Sequence, residues 1–97
     1  MFIVVSYDIP DDKRRTKIMK LLKNFGAHVQ ESVFECDLKP ATFEDMRGRL
    51  GKMISPKTDN VRFYFLDEDA IKKIQAIGRV PVTRAPVYGW IEIEKSS

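Results

Sequence analysis

The chain contains one cysteine, one histidine, one tryptophan and five glycines in 97 residues. A lone Cys36 excludes an intramolecular disulfide and fits a reducing compartment, and it reads as a small buried hydrophobe rather than a reactive thiol. His28 has no cysteine or acid at ligand spacing, so it is assigned to a strand or loop. The glycines do not gather into a loop that could cradle a nucleotide, and no serine, cysteine or lysine constellation supplies a covalent nucleophile. Long hydrophobic runs are also missing. The opening MFIVV is too short for a signal sequence and lacks a preceding basic segment, and nothing approaches the roughly 18 apolar residues of a membrane span. A soluble, cytoplasmic protein with no membrane partner is expected. A large excess of either charge is absent too: 17 Lys and Arg against 14 Asp and Glu leave a net charge of +3. Attraction to nucleic acid would have to come from local clustering.

What is present suits one domain, since a chain of this length buries roughly two-thirds of the surface that its unfolded form exposes. FIVVSYD, residues 2–8, is apolar on both alternations and rich in β-branched and aromatic types, as a central strand should be. Pro10 ends it, and Asp11 or Asp12 can cap the next helix, which Ile18, Leu21, Leu22 and Phe25 carry over about residues 12–25 before Gly26 stops it. AHVQESVFECDL, residues 27–38, reads as one long bent strand or two short ones. Pro40 opens a second helix carried by Phe43, Met46, Leu50 and Ile54. NVRFYFL, residues 60–66, is a strand, followed by a short helix with Ile71, Ile74 and Ile77, capped by Asp67 and stopped by Gly78.

This order predicts an α+β fold, a ferredoxin-like β-α-β-β-α-β sandwich over residues 1–78. Residues 79–97 change character. Pro81 and Pro86 remove ladder donors, and Val87 to Glu94 alternate as an additional strand. The expectation is a C-terminal arm and strand that pair with a partner subunit's sheet edge.

Helical projection at about 100° per residue puts Lys13, Lys17, Lys20 and Lys23 opposite the apolar face. That stripe is either a solvated helix face or a surface that tracks phosphates. Arg14 projects onto the apolar side of the first turn and Arg15 onto its border. A buried arginine needs an acid or a phosphate, and Asp8, the last residue of the strand feeding this turn, is the nearest candidate. Asp8 therefore has two readings: a turn cap paired with an arginine, or a ligand for a hard cation, which takes one or two carboxylates and keeps several waters. One carboxylate is short of a site, but a two-fold axis near the strand end would supply a second.

YDI closing the first strand, a basic helix start containing Arg15, and VQESVFE at residues 29–35 together resemble the CRISPR-associated Cas2 family. The resemblance implies a homodimer of ferredoxin-like domains in which paired Asp8 carboxylates hold Mg²⁺ or Mn²⁺ for phosphodiester hydrolysis. It places Tyr7 and Arg15 beside Asp8 as catalytic residues, and Ser32 and Phe34 on the family's strand motif. Lys13, Arg14, Arg15, Lys17 and Lys20 would then hold RNA or double-stranded DNA. It also implies a role in spacer acquisition with the CRISPR integrase as partner, either as an endonuclease or as a non-catalytic DNA-binding scaffold.

Overall fold

In a computed structural model, residues 1–78 are described. Strand β1 (Phe2–Asp8) leads to helix α1 (Asp12–Leu22), strands β2 (Ala27–Gln30) and β3 (Val33–Asp37), helix α2 (Pro40–Met53), strand β4 (Asn60–Leu66) and the short helix α3 (Glu68–Lys72). The sheet order is β2-β3-β1-β4 and every pairing is antiparallel. This is the ferredoxin-like α+β arrangement that the element order predicts. No helix among the described residues is long and apolar enough to cross a membrane.

Both helices cover the same face of the sheet. Ile18 and Leu22 of α1 and Phe43, Met46 and Leu50 of α2 form one core with Ile3, Val5, Tyr7, Phe34 and Cys36. Burying each of the larger aliphatic side chains stabilises the fold by about 1.5–3 kcal/mol. The period-2 alternation of β1 fixes the rest: odd-numbered residues from Ile3 to Tyr7 face the helices, whereas Asp8 is exposed.

The segment spanning residues 27–38 resolves into two strands joined at Glu31 and Ser32, with Gln30 opposite Val33 and a register shift between His28 and Gln30. Two-residue hairpins ordinarily announce themselves by Asn or Gly at positive φ. Here neither Glu31 nor Ser32 has positive φ, and the bend is held by side chains instead. Tyr7 Oη donates to the Glu31 carbonyl at 3.1 Å, and His28 Nε2 reaches the same oxygen at 3.0 Å.

Two boundaries differ from the sequence expectation. Helix α1 ends at Leu22 rather than near residue 25, because Asn24, Phe25 and Gly26 close a tight turn onto the Leu21 and Leu22 carbonyls. Gly26 has no positive φ. Its role is close approach: a Cβ there would lie 2.4 Å from both Cys36 Sγ and the Glu35 carbonyl oxygen. Helix α3 stops at Lys72, leaving Ile77 97% exposed, although Asp67 caps it as expected through a 2.8 Å bond from Ala70 N. The expected arm and strand of residues 79–97 lie outside the described residues.

Candidate functional site

Asp8 ends β1 directly opposite Asn60 on β4. It is exposed, and its carboxylate has no hydrogen bond or ion pair with another described residue. Such a group faces solvent and is open to a cation. No cluster of three or more His, Cys, Asp or Glu that could hold a metal occurs among the described residues. The donor chemistry of Asp8 fits a hard cation, but among the described residues it is a single carboxylate and so only part of a site.

The helix that follows is positioned by two arginines. Asp11 caps it, in extended conformation, by accepting Arg14 N at 2.8 Å, and Asp12 places a further negative charge in the first turn. The partner of Arg14 is Asp59, not Asp8. The guanidinium binds Asp59 in a fork, Nε to Oδ2 at 2.5 Å and Nη2 to Oδ1 at 3.0 Å. The Asp59 side chain has no solvent-exposed surface and also accepts from Ser55 N at 2.9 Å and Thr58 Oγ1 at 3.0 Å. Arg14 above all, and then these donors, hold the Asp59 carboxyl well below the usual carboxylate range, against the opposing effect of burial. The expectation that this arginine needs an acid was right in kind. Its partner lies 45 residues away in sequence, in the loop before β4, where no local pattern points to it.

Arg15 does not face Asp8 either. Its Nη1 donates to the Ile9 carbonyl at 2.9 Å and the Pro10 carbonyl at 3.4 Å, and its Nη2 pairs with Asp12. It fastens the strand-to-helix turn to the helix it begins.

Tyr7 is turned away from Asp8 by the strand alternation. It is buried on the helix side, stacked near Phe34 with ring centroids 6.4 Å apart, and its hydroxyl is committed to Glu31. Burial raises its pKa above the usual phenol value, with Arg15 partly opposing, so it is a neutral donor at physiological pH. Ser32 is half-buried in the turn and its carbonyl accepts Tyr7 N at 3.1 Å. Phe34 is fully buried and stacks on His28 at 4.4 Å with planes 6° apart. The structure therefore joins Tyr7, Ser32 and Phe34 into a brace behind Asp8 rather than beside it.

Lys13, Lys17 and Lys20 are all exposed along α1. Lys13 and Lys17, with Asp11, Arg14 and Met53, line an open groove of about 330 Å³ between the start of α1 and the end of α2. The three lysines are available to an anionic polymer, whereas the Arg14 guanidinium is largely taken.

Together the fold and this end of the sheet define a small ferredoxin-like domain with a solvent-facing strand-end carboxylate beside a basic helix. The family described as CRISPR associated protein Cas2 matches residues 1–74. A CRISPR-associated endoribonuclease Cas2 of Chloroflexus aurantiacus is 44% identical over 91% of this chain and 95% of its own length. The crystal structure of Streptococcus pyogenes Cas2 at pH 6.5 superposes with a TM-score of 0.73 at 37% identity, covering 80% of this chain and 100% of that one. A chain from a partial Cas6-RT-Cas1–Cas2 complex gives a TM-score of 0.70 at 32% identity, covering 78% and 89%. The chain belongs to the Cas2 family.

Proposed function

We propose that this chain is a CRISPR adaptation protein which, as a homodimer, hydrolyses phosphodiester bonds of RNA or DNA through a symmetric pair of Asp8 carboxylates. The observation that carries this reading is Asp8 itself: an exposed carboxylate at a strand end, without a partner among the described residues, while the neighbouring arginines are engaged elsewhere. A carboxylate that served only to balance Arg14 or Arg15 would be paired with one of them. The name of the Chloroflexus aurantiacus relative supports the activity.

Mg²⁺ or Mn²⁺ held between two Asp8 residues would polarise a phosphoryl oxygen and supply activated water. The protein's own residues do the remainder. Arg15 fixes the turn that follows Asp8 by its bonds to the Ile9 and Pro10 carbonyls. The Arg14 and Asp59 pair ties the start of α1 to the loop before β4, next to Asn60. Lys13, Lys17 and Lys20 neutralise backbone phosphates, so binding weakens as salt rises. Replacing Asp8 by Ala should abolish metal-dependent cleavage of RNA and DNA by the purified protein, and unchanged cleavage would sink the reading.

A second reading is favoured by the exposed lysines and by the neighbour that comes from a complex containing Cas1. In it the dimer is a scaffold on which duplex DNA lies while the integrase subunits bind. Charge reversal of Lys17 and Lys20 should then weaken duplex binding and flatten its salt dependence. If neither changes, α1 is not the DNA surface.

A further inference from the structure

Besides a divalent ion, hydrolysis at Asp8 gains from a side-chain cation that donates to the other phosphate oxygens, and neither arginine of the strand-to-helix turn is free to supply it. Arg14 spends its fork on Asp59, and Arg15 is held by two main-chain carbonyls and Asp12. Withdrawing Arg14 would strand a carboxylate that has no access to water.

The sheet register offers a third arginine. Asp8 stands opposite Asn60, and Ser6 opposite Arg62. Residues opposed in this way project to the same face, with Cβ atoms about 4.5–5.5 Å apart for direct neighbours and about 7–8 Å apart on the diagonal, within reach of a long side chain. Asp8, Asn60 and Arg62 thus share the sheet face that α1 and α2 leave open, and all three are exposed. Arg62 donates from Nη1 to the Tyr64 hydroxyl in a long bond of 3.5 Å, its one side-chain partner among the described residues. Its planar guanidinium keeps donors for the paired oxygens of a phosphate.

Resting on the nuclease reading above, we propose that Arg62 is the phosphate-contacting cation of the Asp8 site. It approaches from the adjacent strand rather than from the helix, and donates to the non-bridging oxygens of the phosphodiester that Asp8 addresses. Arg14 and Arg15 then act as positioning residues.

The test compares Arg62→Ala, Arg62→Lys and Asp8→Ala in the full chain, with Arg62→Gln repeating the measurement should the alanine variant melt abnormally. The probes are a short labelled single-stranded RNA and a short DNA duplex. Cleavage is followed in Mg²⁺, binding is followed across a salt series without divalent ions, and Mn²⁺ binding is titrated separately. For Arg62→Ala, cleavage should fall about 100- to 1000-fold, as when one transition-state donor is lost. The dependence of log K on log salt should lose about one phosphate's share, while Mn²⁺ affinity stays unchanged. Arg62→Lys should restore the salt dependence without the full rate, because an ammonium cannot make the paired contact. Parental cleavage and salt dependence in Arg62→Ala, with Asp8→Ala inactive, would overturn the role of Arg62 and leave the nuclease reading standing. If Asp8→Ala cleaves normally, or the parent does not cleave, the nuclease reading fails. The salt series then decides Arg62 alone: an unchanged slope overturns it, and the loss of one phosphate supports it.

Discussion

Replacing Gly26 by Ala should destabilise the fold, although Gly26 has an ordinary backbone conformation in which alanine carries no intrinsic strain. The added Cβ would sit 2.4 Å from Cys36 Sγ, 2.4 Å from the Glu35 carbonyl oxygen and 3.0 Å from Cys36 Cα. Comfortable contact begins near 3.5 Å, so the overlap is about 1 Å at two atoms. One of those atoms is main chain in β3, and Cys36 is wholly buried, so relief requires a shift of β3 or of the turn before β2. Overpacking of this kind costs about 1–3 kcal/mol, and the upper part of that range applies where a backbone atom must give. Stiffening of the unfolded chain returns about 0.4–1 kcal/mol. A net loss of about 2 kcal/mol follows, which lowers Tm by roughly 8–16 °C in a domain of this size. Thermal melts of parent and variant at one shared protein concentration measure it. Gly51→Ala is the matched control, since it lies in α2 with nothing within 4 Å of its Cβ position and should gain up to about 1 kcal/mol. A Gly26→Ala variant that melts within about 2 °C of the parent, under the same scaling, would refute the close-approach explanation.

Three further outcomes are expected. Burial, with a smaller contribution from Glu35, pushes the Cys36 thiol up to about 11, so a disulfide reagent at pH 8 should modify it only after denaturation; fast labelling of the native protein would contradict its place in the core. Asp59 has a lowered pKa in the folded protein, so its contribution to stability is complete above the ordinary carboxylate range and is lost as pH falls below about 4. An Asp59→Asn variant should be less stable at neutral pH and show a shallower loss of Tm on acidification; a parallel curve would argue against the Arg14 pairing. Tyr7→Phe should lose about 1 kcal/mol for the bond to the Glu31 carbonyl and leave Mn²⁺ binding at the parental level; a selective loss of Mn²⁺ binding would return Tyr7 to the site.

Strand β1, the start of α1, helix α2 and strand β4 were legible in the sequence because local rules govern them. Pro10 and Asp11 mark a stop and a cap, and Phe43, Met46 and Leu50 repeat at helical spacing into one core. The bend at Glu31 and Ser32 was not legible, because Tyr7 from β1 and His28 from β2 itself hold it in place of a turn-forming residue. Gly26 was visible as a stop, but its reason lies across the sheet at Cys36. The same limit applies to the site. The pattern exposed Asp8 as a strand-end carboxylate and Arg14 as a cation facing inward, yet the partner of Arg14 depends on tertiary contact. The resemblance puts Tyr7 next to Asp8 along the chain, whereas the pleat sends adjacent side chains to opposite faces. Asn60 and Arg62 enter only through the register of β4 on β1.

The proposed nuclease chemistry requires two Asp8 carboxylates to share one divalent ion. Crystals of the full chain grown with Mn²⁺ and measured for anomalous scattering test it directly. One Mn²⁺ per two chains is expected, lying between Asp8 carboxylates about 4–6 Å apart given ligand bonds near 2 Å, and absent from Asp8→Ala crystals. Asp8 carboxylates too far apart to share an ion, or a Mn²⁺ peak that persists in Asp8→Ala, would contradict it.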